Sequence, residues 1–238
     1  MTRRHLALAS LLGSAIALGP VGADVASAAE TASLKGTVKL KGSPPKPEDL
    51  NMKSDPFCAK HTAKDTSVVV GPKGGLKNVV VHVVKGLEGA APAASGDVVL
   101  DQSGCVYEPR VAVAVAGQQV LIKNSDQTLH NVHTYKGPAT LFNQAQPQGF
   151  PPLKKKFAKS GDVVKFKCDV HPWMTGWVVV VDNPFYAVTG DDGSFTIDGL
   201  APGKYTIEYW HEKYGAQTAD VEVKAGKPAA LNLEVVAK

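Results

Sequence analysis

The sequence predicts an all-β protein built of two β-sandwiches, a larger one first and a smaller one after it. Three observations lead there. Short valine-rich runs recur and are bounded by Gly, Pro, Asp or Asn. No segment beyond the N-terminal leader keeps a 3.6-residue apolar period over three turns. Turn signals follow one another closely, as they do in sandwiches and barrels.

The chain opens with Arg3, Arg4 and His5, an apolar stretch from Leu6 to Leu18, and Ala26-Ser27-Ala28 as a small-x-small cleavage site. This is a signal peptide over 1–28, set apart from the fold, and its apolar run is too short to span a bilayer. Thr2-Arg3-Arg4-His5-Leu6 fits either a twin-arginine signal or an ordinary export leader. Leu34 to Lys41 alternates apolar and charged residues and reads as a strand. So do Asn78 to Val84, Val111 to Val115, Gln119 to Lys123, Val163 to Lys167 and Trp177 to Val181. Ala90 to Ala94 reads as a loop tip, and residues 137–161, rich in Pro, Gln and Lys, as a long connection with at most one short strand. A boundary is expected at Asp182-Asn183-Pro184, giving one domain over 29–182, with a β extension at its N-terminus, and a second over 183–238. The second holds Tyr186 to Thr189, Ser194 to Ile197, Tyr205 to Trp210, Ala219 to Lys224 and Leu231 to Val236. A core that small is marginal alone and is expected to pack on the first domain.

Composition narrows the function. The net charge of +4 is far from that of a nucleic-acid binder, and basic and aromatic residues do not interleave. Lys154-Lys155-Lys156 is the one dense basic run, a solvated loop or a steering patch for a partner. No later stretch is long and apolar enough to span a membrane as a helix. Three cysteines in an exported chain imply one disulfide and one thiol with another task. Cys58 and Cys105 lie in turn-like stretches with no metal ligands at short spacing, so they are expected to pair. Cys168 has a His and a Met close behind it and is expected to be free.

The chemistry concentrates in Cys168-Asp169-Val170-His171-Pro172-Trp173-Met174-Thr175-Gly176. A thiolate, an imidazole and a thioether at this spacing, between two strands, can be turned inward by one tight loop. Thiolate plus two imidazoles, with a weak axial thioether, is a blue-copper donor set. The second imidazole must come from elsewhere, and Asn124 to His133 offers His130 and His133. His130 is chosen, because alternation along an extended chain puts His133 on the opposite face. The expected ligands are therefore His130, Cys168, His171 and Met174.

Leu129-His130-Asn131-Val132, followed later by the Cys168–Gly176 stretch, resembles the cupredoxins, and the short Cys-x-x-His-x-x-Met loop is most similar to that of amicyanin. The resemblance spans roughly residues 98 to 182. It implies a Greek-key sandwich binding one type 1 copper. It implies that Asn131 donates its backbone N–H to the thiolate and ties the ligand loops with its side chain. Asp169 stands where a hydroxyl residue is commoner, and a carboxylate there lowers the reduction potential unless it turns to solvent. The resemblance also implies that the edge of His171 reaches the surface through an apolar patch, with Pro172 and Trp173 as the partner-docking residues. Gly190 to Tyr205 is similar to the carboxypeptidase-regulatory-like, transthyretin-like sandwich, which implies a fold and no activity.

The function expected is an exported, periplasmic or secreted, one-electron carrier serving a redox protein such as a cytochrome or a periplasmic dehydrogenase or oxidase. The alternative is a copper-binding protein for delivery, storage or sensing. A multicopper oxidase or nitrite reductase needs further His clusters, and the chain has no His-x-His pair, so an enzyme is not expected.

Overall fold

The computed structural model describes residues 30–89 and 93–237. The leader over 1–28 and most of the Ala90–Ala94 tip lie outside the described residues. The chain enters through β1 (Ala32–Lys41) and, after a long excursion, β2 (Val80–Lys85). Nine strands follow: β3 (Val98–Ser103), β4 (Val106–Glu108), β5 (Val111–Val115), β6 (Gln119–Asn124), β7 (His130–Lys136), β8 (Ala139–Gln146), β9 (Leu153–Lys156), β10 (Val163–Lys167) and β11 (Thr175–Val181). The remainder is β12 (Tyr186–Val188), β13 (Ser194–Leu200), β14 (Gly203–His211), β15 (Gly215–Val223), β16 (Ala229–Ala230) and β17 (Leu233–Val236). The fold is all-β, and no helix among the described residues is long and apolar enough to cross a membrane.

These strands make four sheets and two sandwiches. The site sandwich stacks β5-β11-β10-β7-β8 on β4-β3-β6-β9. Leu100, Ile122, Val132, Phe166, Val178 and Val180 fill the space between them. The terminal sandwich stacks β1, joined by β13, β16 and β17, on β12-β2-β14-β15. Its core includes Leu34, Val38, Val81, Ile197, Ile207 and Val235. Gly193, at φ +76°, lets the Asp191-Asp192 turn press on β1, where Val38 donates its N–H to the Gly193 carbonyl at 2.8 Å.

Strand pairing corrects the expected domain division. β1 and β2 do not extend the first sandwich, because β1 pairs with β13, β16 and β17, and β2 pairs with β12 and β14. The site sandwich is thus inserted between two neighbouring strands of the terminal one. Asn183 marks the return: its side-chain N–H donates to the Val83 carbonyl at 2.9 Å, and its Oδ1 accepts the Phe185 N–H at 3.0 Å. The long connection expected over 137–161 instead contains β8 and β9, both paired at sheet edges. Polar side chains had masked them, since edge strands show only a weak apolar pattern.

The two sandwiches share a buried face. Val111, Val113, Val179 and Val181 from the site sandwich meet Val80 and Trp210 from the terminal one. The alternate residues of the same strands, Ala112, Ala114, Val178 and Val180, point into the site core. Burial on both faces explains why β5 and β11 are near-continuous valine and alanine runs. At one end of this face Arg110 Nη2 donates to Glu212 Oε2 at 2.9 Å, and Trp177 Nε1 donates to the same oxygen at 3.0 Å. The Glu212 side chain is only 4% exposed, so the pair is effectively sealed.

Between β1 and β2 the chain makes an excursion that crosses to the site sandwich. Its base is closed by Leu50 N–H to Ala63 carbonyl (2.9 Å) and Asp65 N–H to Glu48 carbonyl (2.8 Å). Its tip is held by a disulfide between Cys58 and Cys105, with Cα atoms 5.7 Å apart. Cys105 lies in the β3–β4 hairpin, where Gly104 (φ +63°) and Cys105 (φ +60°) both take the left-handed conformation that a tight hairpin turn requires.

Two stability outcomes are expected. Glu212→Ala leaves Arg110 and Trp177 without their buried acceptor and should cost about 3–5 kcal/mol in urea unfolding. Replacing both Cys58 and Cys105 with Ala releases a link between residues 47 apart in sequence. In the chain-entropy picture this should lower unfolding stability by about 4 kcal/mol, and peptide mapping without reductant should recover the Cys58–Cys105 cross-link.

Candidate metal centre

Register places the donors. β7 and β10 are antiparallel neighbours with His133 opposite Lys167. The start of β7, His130, and the residue after β10, Cys168, therefore lie side by side. β10 in turn pairs with β11, Lys167 opposite Thr175, so residues 168–174 must reverse direction in one tight loop. The Met174 N–H donates to the His171 carbonyl at 2.9 Å within it. Gly176 follows because β11 starts against Tyr107: a Cβ there would sit 2.8 Å from Tyr107 Cβ.

Three donor atoms converge. Cys168 Sγ is 3.6 Å from His171 Nδ1 and 3.9 Å from His130 Nδ1, and the two Nδ1 atoms are 2.8 Å apart. Such edges are those of ligands held about 2.0–2.3 Å from one small transition-metal ion. All three residues are fully buried. Met174 is fully buried as well, in the same core cluster as Cys168. One cysteine and two imidazoles, with Met174 in the same core cluster as the cysteine, fit copper by donor softness.

Proton positions follow from the surroundings. Burial pulls His130 toward neutrality, but hydrogen bonds to Asp126 and Cys168 outweigh it and raise the imidazole to about 9. Burial opposes ionisation of Cys168, yet His130 and the Asn131 N–H bring the thiol below its ordinary value. His171 is lowered, first by burial and then by the charge on His130. The directions favour the anionic form of Cys168, the cationic form of His130 and the neutral form of His171. His130 Nδ1 and His171 Nδ1 face each other at 2.8 Å, while His171 Nε2 lies 3.4 Å from the Asp55 carboxylate, which accepts and does not donate when ionised.

Asn131 joins the two ligand loops. Its backbone N–H points to Cys168 Sγ at 3.5 Å, and its Oδ1 accepts the Asp169 N–H at 2.6 Å. Asp169 turns away from the thiolate. Its Oδ2 accepts from Asn131 Nδ2 at 2.9 Å and Asn143 Nδ2 at 2.8 Å, and the carboxylate pairs with His133 at 3.0 Å. The His133 contact is the main reason its carboxyl titrates below the ordinary range. His133 lies on the other face of β7 from His130, as alternation requires, and is bonded to Asp169, Thr140 and Tyr135.

The expected surface exit at His171 is not there. His171 is fully buried, covered by the disulfide-held excursion, with Cys58 Sγ 3.7 Å and Asp55 Oδ2 3.4 Å from its Nε2. Pro172 remains exposed, but Trp173 is half-buried. The Trp173 ring packs 5.1 Å from His171, and its Nε1–H donates to the Cys105 carbonyl at 3.0 Å. The residues that cover the outer edge of His171, Asp55 and Cys58, come from a segment with no metal-ligand spacing of its own.

Two carboxylates in the site escaped the sequence reading. Asp126 is buried and accepts Gly104 N–H (2.7 Å), Cys105 N–H (2.8 Å) and His130 Nε2–H (2.9 Å). Burial alone would raise it, but the His130 contact and the two N–H donors lower it. Its place four residues before His130 was the available signal. Asp55 accepts the N–H groups of Phe57 (2.7 Å) and Cys58 (2.9 Å) and the Thr128 hydroxyl (2.8 Å). Burial opposes its ionisation, yet these donors and His171 hold it at about 2. Nothing local in Ser54-Asp55-Pro56 connects it to a histidine over a hundred positions away.

Residues 174–236 match the carboxypeptidase regulatory-like domain. No curated protein matches the chain. Solved structures similar to part of it include a cupredoxin, an amicyanin and a copper-containing nitrite reductase. A purple cupredoxin from Nitrosopumilus maritimus is 25% identical, over 35% of this chain and 99% of its own, at a TM-score of 0.32. A reduced amicyanin variant is 28% identical, over 37% of this chain and 85% of its own, at 0.33. A copper-containing nitrite reductase from Thermus scotoductus is 22% identical, over 40% of this chain and 24% of its own, at 0.33.

Proposed function

We propose that the protein is an exported, periplasmic or secreted, single-copper carrier of one electron, with His130, Cys168, His171 and Met174 as ligands. The observation that carries this reading is the convergence of the Cys168, His130 and His171 donor atoms in a site sealed from water. Copper supplies the one-electron couple. The chain supplies rigidity: His130 opens β7, Cys168 directly follows β10, His171 is held in the tight loop before β11, and Asn131 ties the loops, so little needs to move between oxidation states. The cluster lies under protein on all sides, which leaves no room for a substrate and disfavours an enzyme. A delivery protein needs a labile ion. The disulfide-held cover over His171 opposes that, so the carrier reading is preferred to delivery, storage or sensing.

The partner we propose is a redox protein, a cytochrome or a dehydrogenase or oxidase. Pro172 is still available to it as an apolar contact, whereas Trp173 serves chiefly to pack the loop. Small contacts suit brief redox encounters. Lys154 and Lys156 are exposed on β9, and their charges can steer an acidic partner at low ionic strength.

The copper-loaded, oxidised protein should be intensely coloured through thiolate-to-copper charge transfer and should bleach reversibly on reduction. Visible spectroscopy decides it: a colourless one-to-one complex bound through nitrogen and oxygen alone would end the blue-copper reading. Cys168→Ser should abolish the colour while circular dichroism stays that of the native sheets.

Met174→Leu should retain both copper and colour and raise the reduction potential, because a weak donor is exchanged for apolar bulk that disfavours the oxidised ion. Voltammetry and metal analysis check this. Loss of the copper from that variant would make Met174 a principal ligand.

A further inference from the structure

The outer edge of His171 poses a specific physical problem. Its Nδ1 faces Cys168 and His130, where a metal would take the Nδ1 lone pair and leave the ring proton on Nε2, and its Nε2 faces the Asp55 carboxylate. That N–H has no access to water, since the residue is fully buried. A buried donor without an acceptor is costly. Within reach are Asp55 Oδ2 at 3.4 Å and the disulfide sulfur of Cys58 at 3.7 Å, and sulfur is the weaker acceptor.

Asp55 is held where it can serve. Its Oδ1 is fixed by the Phe57 and Cys58 N–H groups, at 2.7 and 2.9 Å. Its Oδ2 is fixed by the Thr128 hydroxyl at 2.8 Å, which belongs to the loop carrying His130. No Lys or Arg forms a salt bridge with it among the described residues, so His171 is the one cationic or proton-bearing ring it meets. The arrangement at His130 is parallel: there the outward Nε2 meets the buried Asp126, which also binds the Cys105 N–H. The two carboxylates thus stand on the two arms of one disulfide.

We propose that Asp55 is a positioning residue of the metal centre: from the disulfide-anchored excursion it receives the outward Nε2–H of His171, locks that ring with Nδ1 toward the cluster, and closes the centre on the side of Cys58. The proposal deepens the single-copper reading and assigns the excursion a task in the site rather than in the terminal sandwich from which it springs. An approaching molecule meets Lys53, Ser54 and Pro56, which are exposed, in place of a ligand imidazole.

The test has one arm without copper and one with it. In the metal-free full chain, proton–nitrogen correlation spectra of the imidazoles should show His171 as the Nε2–H form, with that proton protected from solvent exchange. Asp55→Ala should speed the exchange about tenfold or more, the equivalent of one hydrogen bond's net contribution. Asp55→Asn, which keeps an acceptor and removes the charge, should preserve the protection. In the copper-loaded protein Asp55→Asn should raise the reduction potential, because the lost negative charge had favoured the oxidised ion. Protection unchanged in Asp55→Ala, or a potential unchanged in Asp55→Asn, would overturn the proposal while leaving the copper reading intact. If the wild-type chain formed no blue complex, the copper reading would fall and the exchange measurement alone would still judge Asp55.

Discussion

A polar cluster sealed from water must find every hydrogen-bond partner inside the protein, and the end of this molecule that holds His130, Cys168 and His171 is organised around that requirement. The thiolate, the two imidazoles and their outward N–H groups are all at zero exposure. Asp126 meets one side of the cluster and simultaneously caps the left-handed turn at Gly104-Cys105. Asp55 meets the other side and caps its own turn. Each carboxylate therefore joins ligand geometry to backbone geometry, and the disulfide between those turns makes the two halves one object. Asn131 does for the thiolate loop what the carboxylates do for the imidazoles.

The same economy governs the larger architecture. Four sheets are layered so that the two inner ones are covered on both faces, and β2, β5 and β11 carry valine where ordinary sandwich strands would alternate. The shared face is locked at one end by Arg110, Glu212 and Trp177. The excursion between β1 and β2 then contacts the site sandwich from a second direction. The loops of the candidate site are thereby held by both sandwiches, although every expected ligand lies in one.

Much of this was legible in the sequence. Local patterns carried it: Leu34 to Lys41, Val111 to Val115 and Val163 to Lys167 are strands because their alternation or valine content permits little else. The grouping of Cys168 with His171 needed only their spacing, and the preference for His130 over His133 needed only the two-residue period of a strand. The disulfide followed from the chemistry of the remaining thiol. What the sequence concealed is long-range. That β1 pairs with β13 and β17 across more than 150 positions leaves no local trace, so residues 29–97 looked like an extension of the site sandwich. The burial of His171 was hidden for the same reason: its cover is fixed by Cys58 and Asp55, whose contact with it depends on how two sandwiches are joined. β8 and β9 were missed because an edge strand one face of which meets water carries polar residues that look like a loop.

The insertion of one sandwich within the other has a consequence for assembly during synthesis. The site sandwich is a continuous stretch, and its pairings close over modest distances along the chain. The terminal sandwich cannot close until β16 and β17 have emerged, because β1 takes both as parallel neighbours. Long-range parallel pairing is intrinsically slow. Until those last strands are available that edge of β1 is unpaired, and a chain in that state is the one most open to misassociation. The inserted sandwich, once folded, brings β2 and the return point at Asn183 together and shortens the distance over which the last strands must search. The module that houses the metal ligands would then also be the template on which its host is completed.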